Sequence, residues 1–436
     1  MSEVSTDNSI PSRRTFLKAS TAAAATAAMV GPMAIGRSAH AAGSDILKVA
    51  LVGCGGRGSG AAVNAMNAEP NVRLTVLADA FPDAIEGAKR NLGKQLGEKF
   101  AVTDDKCFVG FDAYKQAIAT DVDVVLLCSP PHFRPAHLKA AIEGGKHVFC
   151  EKPVAVDAPG VRSVLETAAK AKEKNLSIVS GLCWRYDLGV RDTIKQIQDG
   201  AIGDIVTIQE NYLTGTLWHR GRKPEWSEME YQMRNWLYFT WLSGDHNTEQ
   251  HIHSLDKAMW LMNDQPPVSC YGTGGRQVRT GAEYGNVFDH HAVVYEWANG
   301  TKCFAFTRQM KGCFGEVEDH VYGTKGSAQI LKNLVKSGKD TWRYKGDKPS
   351  MYDVEHKELF AGIRSGNIIN NGTYMSYSTL LAIMGRMATY TGQQISWEDA
   401  MASKEDLTPA AYAWGEVKIP GATTTEVAVP GVTPFV

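Results

Sequence analysis

The stretch Leu47–Gly58, LKVALVGCGGRG, constrains the fold of this chain more than any other. Its apolar run Val49–Val52 reads as a short buried strand. The strand runs into Gly53, Gly55 and Gly58, spaced GxGxxG, and the AAVNAM that follows opens a helix. The three glycines serve a tight turn, close backbone approach to a pyrophosphate, and tight packing of helix on strand. The helix N-terminus offers unpaired N–H groups and a positive dipole end to phosphates. A second apolar strand, Val72–Ala78, ends in Asp79, 21 residues after Gly58. A carboxylate there accepts hydrogen bonds from a ribose 2′-hydroxyl and repels a 2′-phosphate, which favours NAD over NADP. An ordinary strand–turn–helix with a surface aspartate is the poorer reading of these features in sequence.

The 436 residues suffice for two or three domains. Residues 1–42 stand apart. Ser12-Arg13-Arg14-Thr15-Phe16-Leu17-Lys18 is a full twin-arginine pattern, and Ala39-His40-Ala41 is a small-x-small cleavage site. The Ala/Thr-rich stretch between them is too short and too weakly apolar for stable membrane insertion. The expected partner is the Tat export machinery, and the expected location periplasmic or otherwise exported. Tat carries folded proteins, so the nucleotide is expected to be loaded before export and held tightly. The formal net charge of −1 and the lack of a long basic run give no support to nucleic acid as a partner. Of the eight cysteines, Cys54 lies in the glycine loop and Cys128 and Cys150 in or beside buried strands, so most are expected to be free.

After Asp79, strand and helix signals alternate through Asp121–Cys128, a helix near Pro135–Gly144, Lys146–Cys150, a helix over 159–174 and a strand over 176–179. Such βα units build a doubly wound parallel sheet, with ligands beyond the carboxyl ends of its strands. Asp79, Ser129, Lys152 and Arg185 are all expected to emerge there. The second half alternates as half-buried strands: Asp204–Glu210, His290–Trp297, Lys302–Thr307 and Glu318–Gly323, with Asn299-Gly300 as a hairpin turn. Residues 215–240, rich in tryptophan among charged residues, read as an insertion that forms part of a pocket wall.

Gly53-Cys-Gly-Gly-Arg-Gly58, then Ser129-Pro130, then Gly145-Lys146-His147-Val148 running into Glu151-Lys152-Pro153, resemble the Gfo/Idh/MocA oxidoreductases, as does Gly200-Ala-Ile-Gly203 before a strand. The resemblance spans the chain after the signal. It implies a Rossmann domain (45–183) and a C-terminal α/β domain (184–436) with a large, mostly antiparallel sheet, the class being α/β. It implies a cofactor site at Gly53, Gly55, Gly56, Arg57, Gly58, Asp79, Ser129, Pro130, Glu151 and Lys152, and a homodimer or homotetramer.

Lys152 is the first catalytic candidate; alone, a Lys-Pro after a strand reads as a solvated loop. The resemblance implies that its ammonium polarises a substrate oxygen, and that the Lys–Pro bond is often cis. The second constellation is Gly244–Asp256. The family's pattern of aspartate, glycine two on, histidine four on and aspartate seven on is met at His253 and Asp256. It is departed from at Glu249, where the family has aspartate, and at His251, where it has glycine. On a continuous helix Glu249 and His253 share a face, so His253 is expected to be the general base and Glu249 its partner. A metal held by His246, Glu249, His251 and His253 is the weaker reading, since the spacing fits no standard motif; Asp245 and His246 also read as solvated helix-start residues. Arg185, Tyr186 and Asp256 are expected to contact substrate. Arg134 stands where many relatives have histidine. His132, beside it, reads either as a solvated loop residue or as a contact to cofactor or substrate; His290 and His291 are assigned no role.

The expected function is NAD(P)-dependent hydride transfer to or from a sugar, polyol or related cyclic alcohol. The alternative on the same fold is an NAD-dependent glycoside hydrolase that oxidises C3 transiently. A non-catalytic, nucleotide-retaining sugar-binding protein is a third reading, which an intact Lys152 and His253 disfavour.

Overall fold

In a computed structural model of the chain, residues 45–436 are described. The twin-arginine pattern and the cleavage site lie outside the described residues. Six strands form one sheet: β1 (Leu47–Val52), β2 (Val72–Asp79), β3 (Cys107–Val109), β4 (Val124–Leu127), β5 (His147–Cys150) and β6 (Ile178–Ser180). They lie in the order β3-β2-β1-β4-β5-β6, and every pairing is parallel. Helices on both faces explain why these strands are near-continuous apolar runs rather than alternating ones: all four residues of β4 are buried. The order reverses between β1 and β4, and a ligand crevice opens at that switch point. Gly53 follows β1 there and Ser129 follows β4.

The second sheet has nine strands: β7 (Ile205–Thr214), β8 (Ser269–Gly275), β9 (His290–Glu296), β10 (Lys302–Gln309), β11 (Glu316–Gly323), β12 (Gly326–Gln329), β13 (Leu334–Ser337), β14 (Asp340–Arg343) and β15 (Ile395–Ser396). Their order is β14-β13-β12-β11-β7-β10-β9-β8-β15, with β7 and β10 parallel and the other neighbours antiparallel. β7 outruns its expected end at Glu210 because it pairs along its length with both β10 and β11. The Asn299-Gly300 turn joins β9 to β10, with Gly300 at φ +85° and its N–H on the Trp297 carbonyl at 2.9 Å. One face of the sheet is packed under the Ile252–Leu261 and Gly372–Thr391 helices. Tyr271, Phe304, Phe306 and Tyr322 are exposed, and the register sets Tyr271 and Phe304 on either side of Val294 in one row across the sheet.

The Met351–Ser365 helix comes from the second half of the chain but packs on the first sheet's side. Its Leu359, Phe360 and Ile363 share a core with Val49, Leu51 and Phe149, and its Asp353 accepts from Asn64 Nδ2 at 2.8 Å. Among the described residues, all eight cysteines are free and no helix is long and apolar enough to cross a membrane.

Candidate active site

A cleft of about 900 Å³ opens at the carboxyl ends of β1, β2 and β4 and is walled on its far side by residues from the second half of the chain. Gly53 sits at φ +94°, and a Cβ there would meet Ser129 N at 2.5 Å. A Cβ on Gly58 would lie 1.8 Å from the Gly53 carbonyl oxygen, so the helix reaches this close only without a side chain. At Gly55 and Gly56 the added Cβ meets nothing within 4 Å, and both residues line the cleft. Gly55 is the N-cap of the Gly56–Ala68 helix without a capping side chain, and the first turn holds no acid. Open space before an uncapped helix N-terminus fits a dinucleotide's pyrophosphate.

Asp79 lines the same cleft. Its Oδ2 accepts from Cys54 N at 2.6 Å and its Oδ1 from Phe81 N at 2.9 Å. The carboxylate therefore ties the glycine loop to the turn after β2, and burial raises its pKa. Ser129 and Pro130 also line the cleft. Arg57 turns toward the protein instead of standing free. Its Nε bonds Glu151, a guanidinium NH₂ reaches Glu355 at 3.2 Å, and its guanidinium lies 4.8 Å from the Tyr352 ring centroid. Glu355 is fully buried, which pushes its pKa well up, and Glu151 pushes it further.

Lys152, Glu249 and His253 come together in the cleft. The Lys152–Pro153 bond is cis, and Lys152 Nζ donates to Glu249 Oε1 at 2.9 Å. Gln250 Nε2 holds the other carboxylate oxygen at 2.6 Å. The expected Glu249–His253 pair is not formed. The segment is two helices, His246–Glu249 and Ile252–Leu261, broken at Gln250-His251; Glu249 pairs with Lys152. The Nδ1 of His253 is buried without a hydrogen-bond partner among the described residues. Burial, then the charges of Lys152, Lys257 and Arg57, hold the His253 pKa well below the ordinary histidine value, so the ring is neutral. Lys257 Nζ fixes the residue's carbonyl at 2.6 Å.

Arg185, Tyr186 and Asp256 are not among the residues that line the cleft, contrary to the expected substrate contact. The 3₁₀ turn Cys183–Tyr186 directs Arg185 inward. There it bonds Asp256 at 2.9 and 3.0 Å and Asp264 at 2.6 Å, and lies over the rings of Trp260 and Tyr374. Tyr186 donates to Asn371 at 2.7 Å. A buried arginine needs such partners, and this one has them within the protein.

Nor are Asp245 and His246 solvated. Asp245, fully buried at φ +72°, accepts from His246 Nδ1 (2.8 Å), Phe288 N (2.8 Å) and Tyr390 OH (2.6 Å), and lies 3.3 Å from His291 Nε2. Burial alone would push its pKa up; His291 and His246 hold it well below the carboxylate range. The four residues considered for a metal are split. His246 belongs to this knot and His251 bonds Asn247 at 3.1 Å, while Glu249 and His253 face the cleft.

Several lining residues were not anticipated: Tyr212, Gln250, Tyr352, and Arg134, which is buried and donates to the Pro153 carbonyl. Gln250, adjoining Glu249, carried a usable signal; the others depend on long-range packing. Trp218, Arg220, Arg234 and Trp236 also line the cleft, so the 215–240 segment is part of its wall.

A glycine cradle over an open helix N-terminus, with a second domain closing the crevice, defines a two-domain dinucleotide-binding protein. Residues 47–179 match the Gfo/Idh/MocA oxidoreductase family, NAD-binding Rossmann fold, and residues 190–329 match the Gfo/Idh/MocA C-terminal domain. The chain belongs to the Gfo/Idh/MocA family of oxidoreductases. Residues 11–30 match a twin-arginine translocation signal, which directs export through the Tat pathway to the periplasm. Among relatives, an inositol 2-dehydrogenase of Rhizobium meliloti is 26% identical over 60% of this chain and 69% of its own length. A glycosyl hydrolase family 109 protein of Shewanella amazonensis is 28% identical over 47% of each chain. A levoglucosan dehydrogenase solved with NADH and levoglucosan shares the fold, with a TM-score of 0.62 at 20% identity, covering 81% of this chain and 99% of that one.

Proposed function

We propose that the protein moves hydride between tightly held NAD and a CH–OH carbon of a sugar, polyol or related cyclic alcohol. The observation that carries this is the convergence of Lys152, Glu249 and His253 on the cleft that holds the glycine cradle. In this reading residues 45–183 hold the nucleotide and 184–436 the substrate. Gly53, Gly55, Gly56 and Gly58 receive the pyrophosphate, Ser129 and Pro130 border it, and Arg57 and Glu151 brace the loop. Asp79 accepts from the adenosine ribose, which favours NAD over NADP. The nicotinamide, when bound, supplies the carbon that accepts hydride.

His253, neutral and facing the cleft, takes the hydroxyl proton. Lys152, aimed by Glu249, stabilises the developing alkoxide. The inositol 2-dehydrogenase relative supports the substrate class. The exposed aromatic side chains of the nine-stranded sheet, Tyr271, Phe304, Phe306 and Tyr322, support a homodimer or homotetramer.

The likeness to a family 109 glycosyl hydrolase favours a second reading, glycoside cleavage through transient oxidation at C3. One experiment separates the two. The mature protein is given NAD and a panel of sugars, polyols and aryl glycosides, while NADH absorbance and sugar products are followed together. Accumulating NADH with an oxidised sugar establishes the dehydrogenase. Cleavage of the glycoside without net NADH establishes the hydrolase. Nucleotide binding and sugar binding without turnover of any compound would leave the non-catalytic reading standing.

A further inference from the structure

Arg234 reaches across the cleft to the turn that carries Asp79. Its guanidinium bonds both oxygens of Asp83, at 2.9 and 3.0 Å, and lies 4.1 Å from the Phe81 ring centroid. Its Nε is held by Glu230 at 2.8 Å. Phe81 and Asp83 follow β2 directly, and the Phe81 N–H is one of the two that Asp79 accepts. Arg234 therefore grips the backbone turn that sets the Asp79 carboxylate, and does so from the other half of the chain.

The wall behind Arg234 is built, not loose. Tyr238 OH donates to the carbonyls of Leu217 (3.1 Å) and Trp218 (3.0 Å). Asn235, fully buried, accepts from Arg220 N at 2.8 Å and donates to Gly221 O at 3.1 Å. The same turn is packed by a second distant segment, since the Trp414 ring lies 5.4 Å from Phe81 and 4.7 Å from Phe111. The Asp83 side chain is 65% exposed and that of Arg234 18%, so the ion pair itself adds little to global stability while the arginine stem is packed against the wall. The pair's bidentate form with a stacked arene fixes geometry instead.

We propose that the 217–236 segment closes the adenosine end of this nucleotide cleft, with Arg234 as the positioning residue and Asp83 as the latch it holds. The inference rests on the nucleotide reading given above. Phe81, Phe111, Trp218 and Trp236 all line the cleft, and with the Phe81 and Phe111 rings packed by Arg234 and Trp414 the latch stiffens the turn that presents Asp79. With the latch made, the nucleotide is retained through its adenosine half while the Lys152 end stays available to substrate.

The test is binding of NAD and of ADP-ribose, which keeps adenosine and lacks nicotinamide, to the full mature protein, its Arg234→Ala, Asp83→Ala and Arg234→Lys variants, and the double alanine variant. Each single alanine variant weakens both ligands by the same factor, about tenfold or more. The double variant is no worse than either single one, because one latch is broken in every case. Arg234→Lys, which keeps the charge but not the fork, recovers part of the loss. The nucleotide-free melting temperature stays at the parent value in Asp83→Ala, which carries the test; the Arg234→Ala variants also lose the bond to Glu230 and the packing on Phe81 and Trp226 and melt lower. Unchanged NAD affinity in the variants overturns the proposal, as does a loss confined to NAD with ADP-ribose unaffected. A parent protein that binds neither NAD nor NADP overturns the nucleotide reading itself, and the latch with it.

Discussion

Lys152 Nζ donates to Glu249 Oε1 at 2.9 Å, and both side chains are nearly buried, with 12% and 8% of their surface exposed. The pair joins a residue just after β5 to the helix pair on the opposite wall, so each half of the chain sets the position of the other's charged group. Removing one partner of such a pair leaves a charge that the other half was built to meet. Lys152→Met is expected to lower kcat/KM by about 10²–10⁴-fold, the range for loss of a positioned proton or oxyanion partner. Glu249→Gln is expected to lower it less, and the double variant by less than the two single losses combined. A double-mutant cycle on steady-state rates measures this coupling.

His253 titrates well below the ordinary histidine value, so its neutral form persists as the solution is acidified. The acid limb of kcat/KM is therefore expected below pH ~6.5, the unperturbed histidine value. His253→Asn is expected to cost about 10²–10⁴ in rate and to remove the limb. A pH–rate profile of both proteins decides it; an acid limb at or above the unperturbed value would assign the base elsewhere.

Gly55 and Gly58 lie in one loop and are expected to respond oppositely to alanine. A Cβ on Gly58 lands 1.8 Å from the Gly53 oxygen, so Gly58→Ala should destabilise by roughly 1–3 kcal/mol or more, as overpacking does, and lower the melting temperature. A Cβ on Gly55 meets no protein atom within 4 Å. Gly55→Ala should keep the parent melting temperature and lose nucleotide affinity, since the methyl enters the pyrophosphate's space. Calorimetry and NAD titration on each variant separate the two effects.

Asp79→Ser is expected to shift the ratio of NAD to NADP affinity toward NADP by about tenfold or more. Because Asp79 also accepts from Cys54 N and Phe81 N, the variant should be destabilised by about 1–3 kcal/mol through the unmet buried donors. Competitive titration of the two nucleotides, with a denaturant melt, reads both.

Among the described residues seven histidines are pulled down by desolvation: His132, His147 and His246 to about 4, His137 and His356 to about 3, and His251 and His253 also well below the ordinary value. The unfolded chain takes up protons at these residues near pH 6.5 while the folded chain does not. Stability is therefore fully present above about pH 6.5 and is lost as pH falls toward 4, each histidine contributing up to about 1.4 kcal/mol per pH unit. The carboxyls whose pKa values burial raises, Asp79, Asp157, Glu210, Glu318 and Glu355, act in the opposite sense but are fewer. The melting temperature is expected to drop between pH 6.5 and 5; a rise would mean that the carboxylates dominate.

Five strands of the first sheet and β7, β9, β10 and β11 of the second were legible because their signals are local, whereas β8 and the short β3 and β12–β15 were not. Glycine spacing at 53–58, apolar runs in β1 and β4, and alternation in β9 and β10 depend on near neighbours in the sequence. Lys152 was legible through its fixed flanks. Arg185 was not: its place after β6 is where ligands gather, but one 3₁₀ turn decides which way the side chain points, and Trp260, Tyr374 and two aspartates lie far away in sequence. The Glu249–His253 pairing failed for a similar reason. Helical spacing presumes an unbroken helix, and the break at Gln250-His251 gave Glu249 to Lys152. Asp245 shows the same limit, since its partners Phe288, His291 and Tyr390 come from later segments.

The Met351–Ser365 helix makes the two halves of this chain finish together. Leu359, Phe360 and Ile363 complete the core beside β1, and Glu355 supplies a partner to Arg57 in the glycine loop. A nascent chain that has released residues 45–183 still lacks this wall, so its nucleotide cradle is unfinished until residue 365 has left the ribosome. An export route that accepts only folded cargo thus meets a nucleotide domain whose core is complete only once the chain has been made through residue 365.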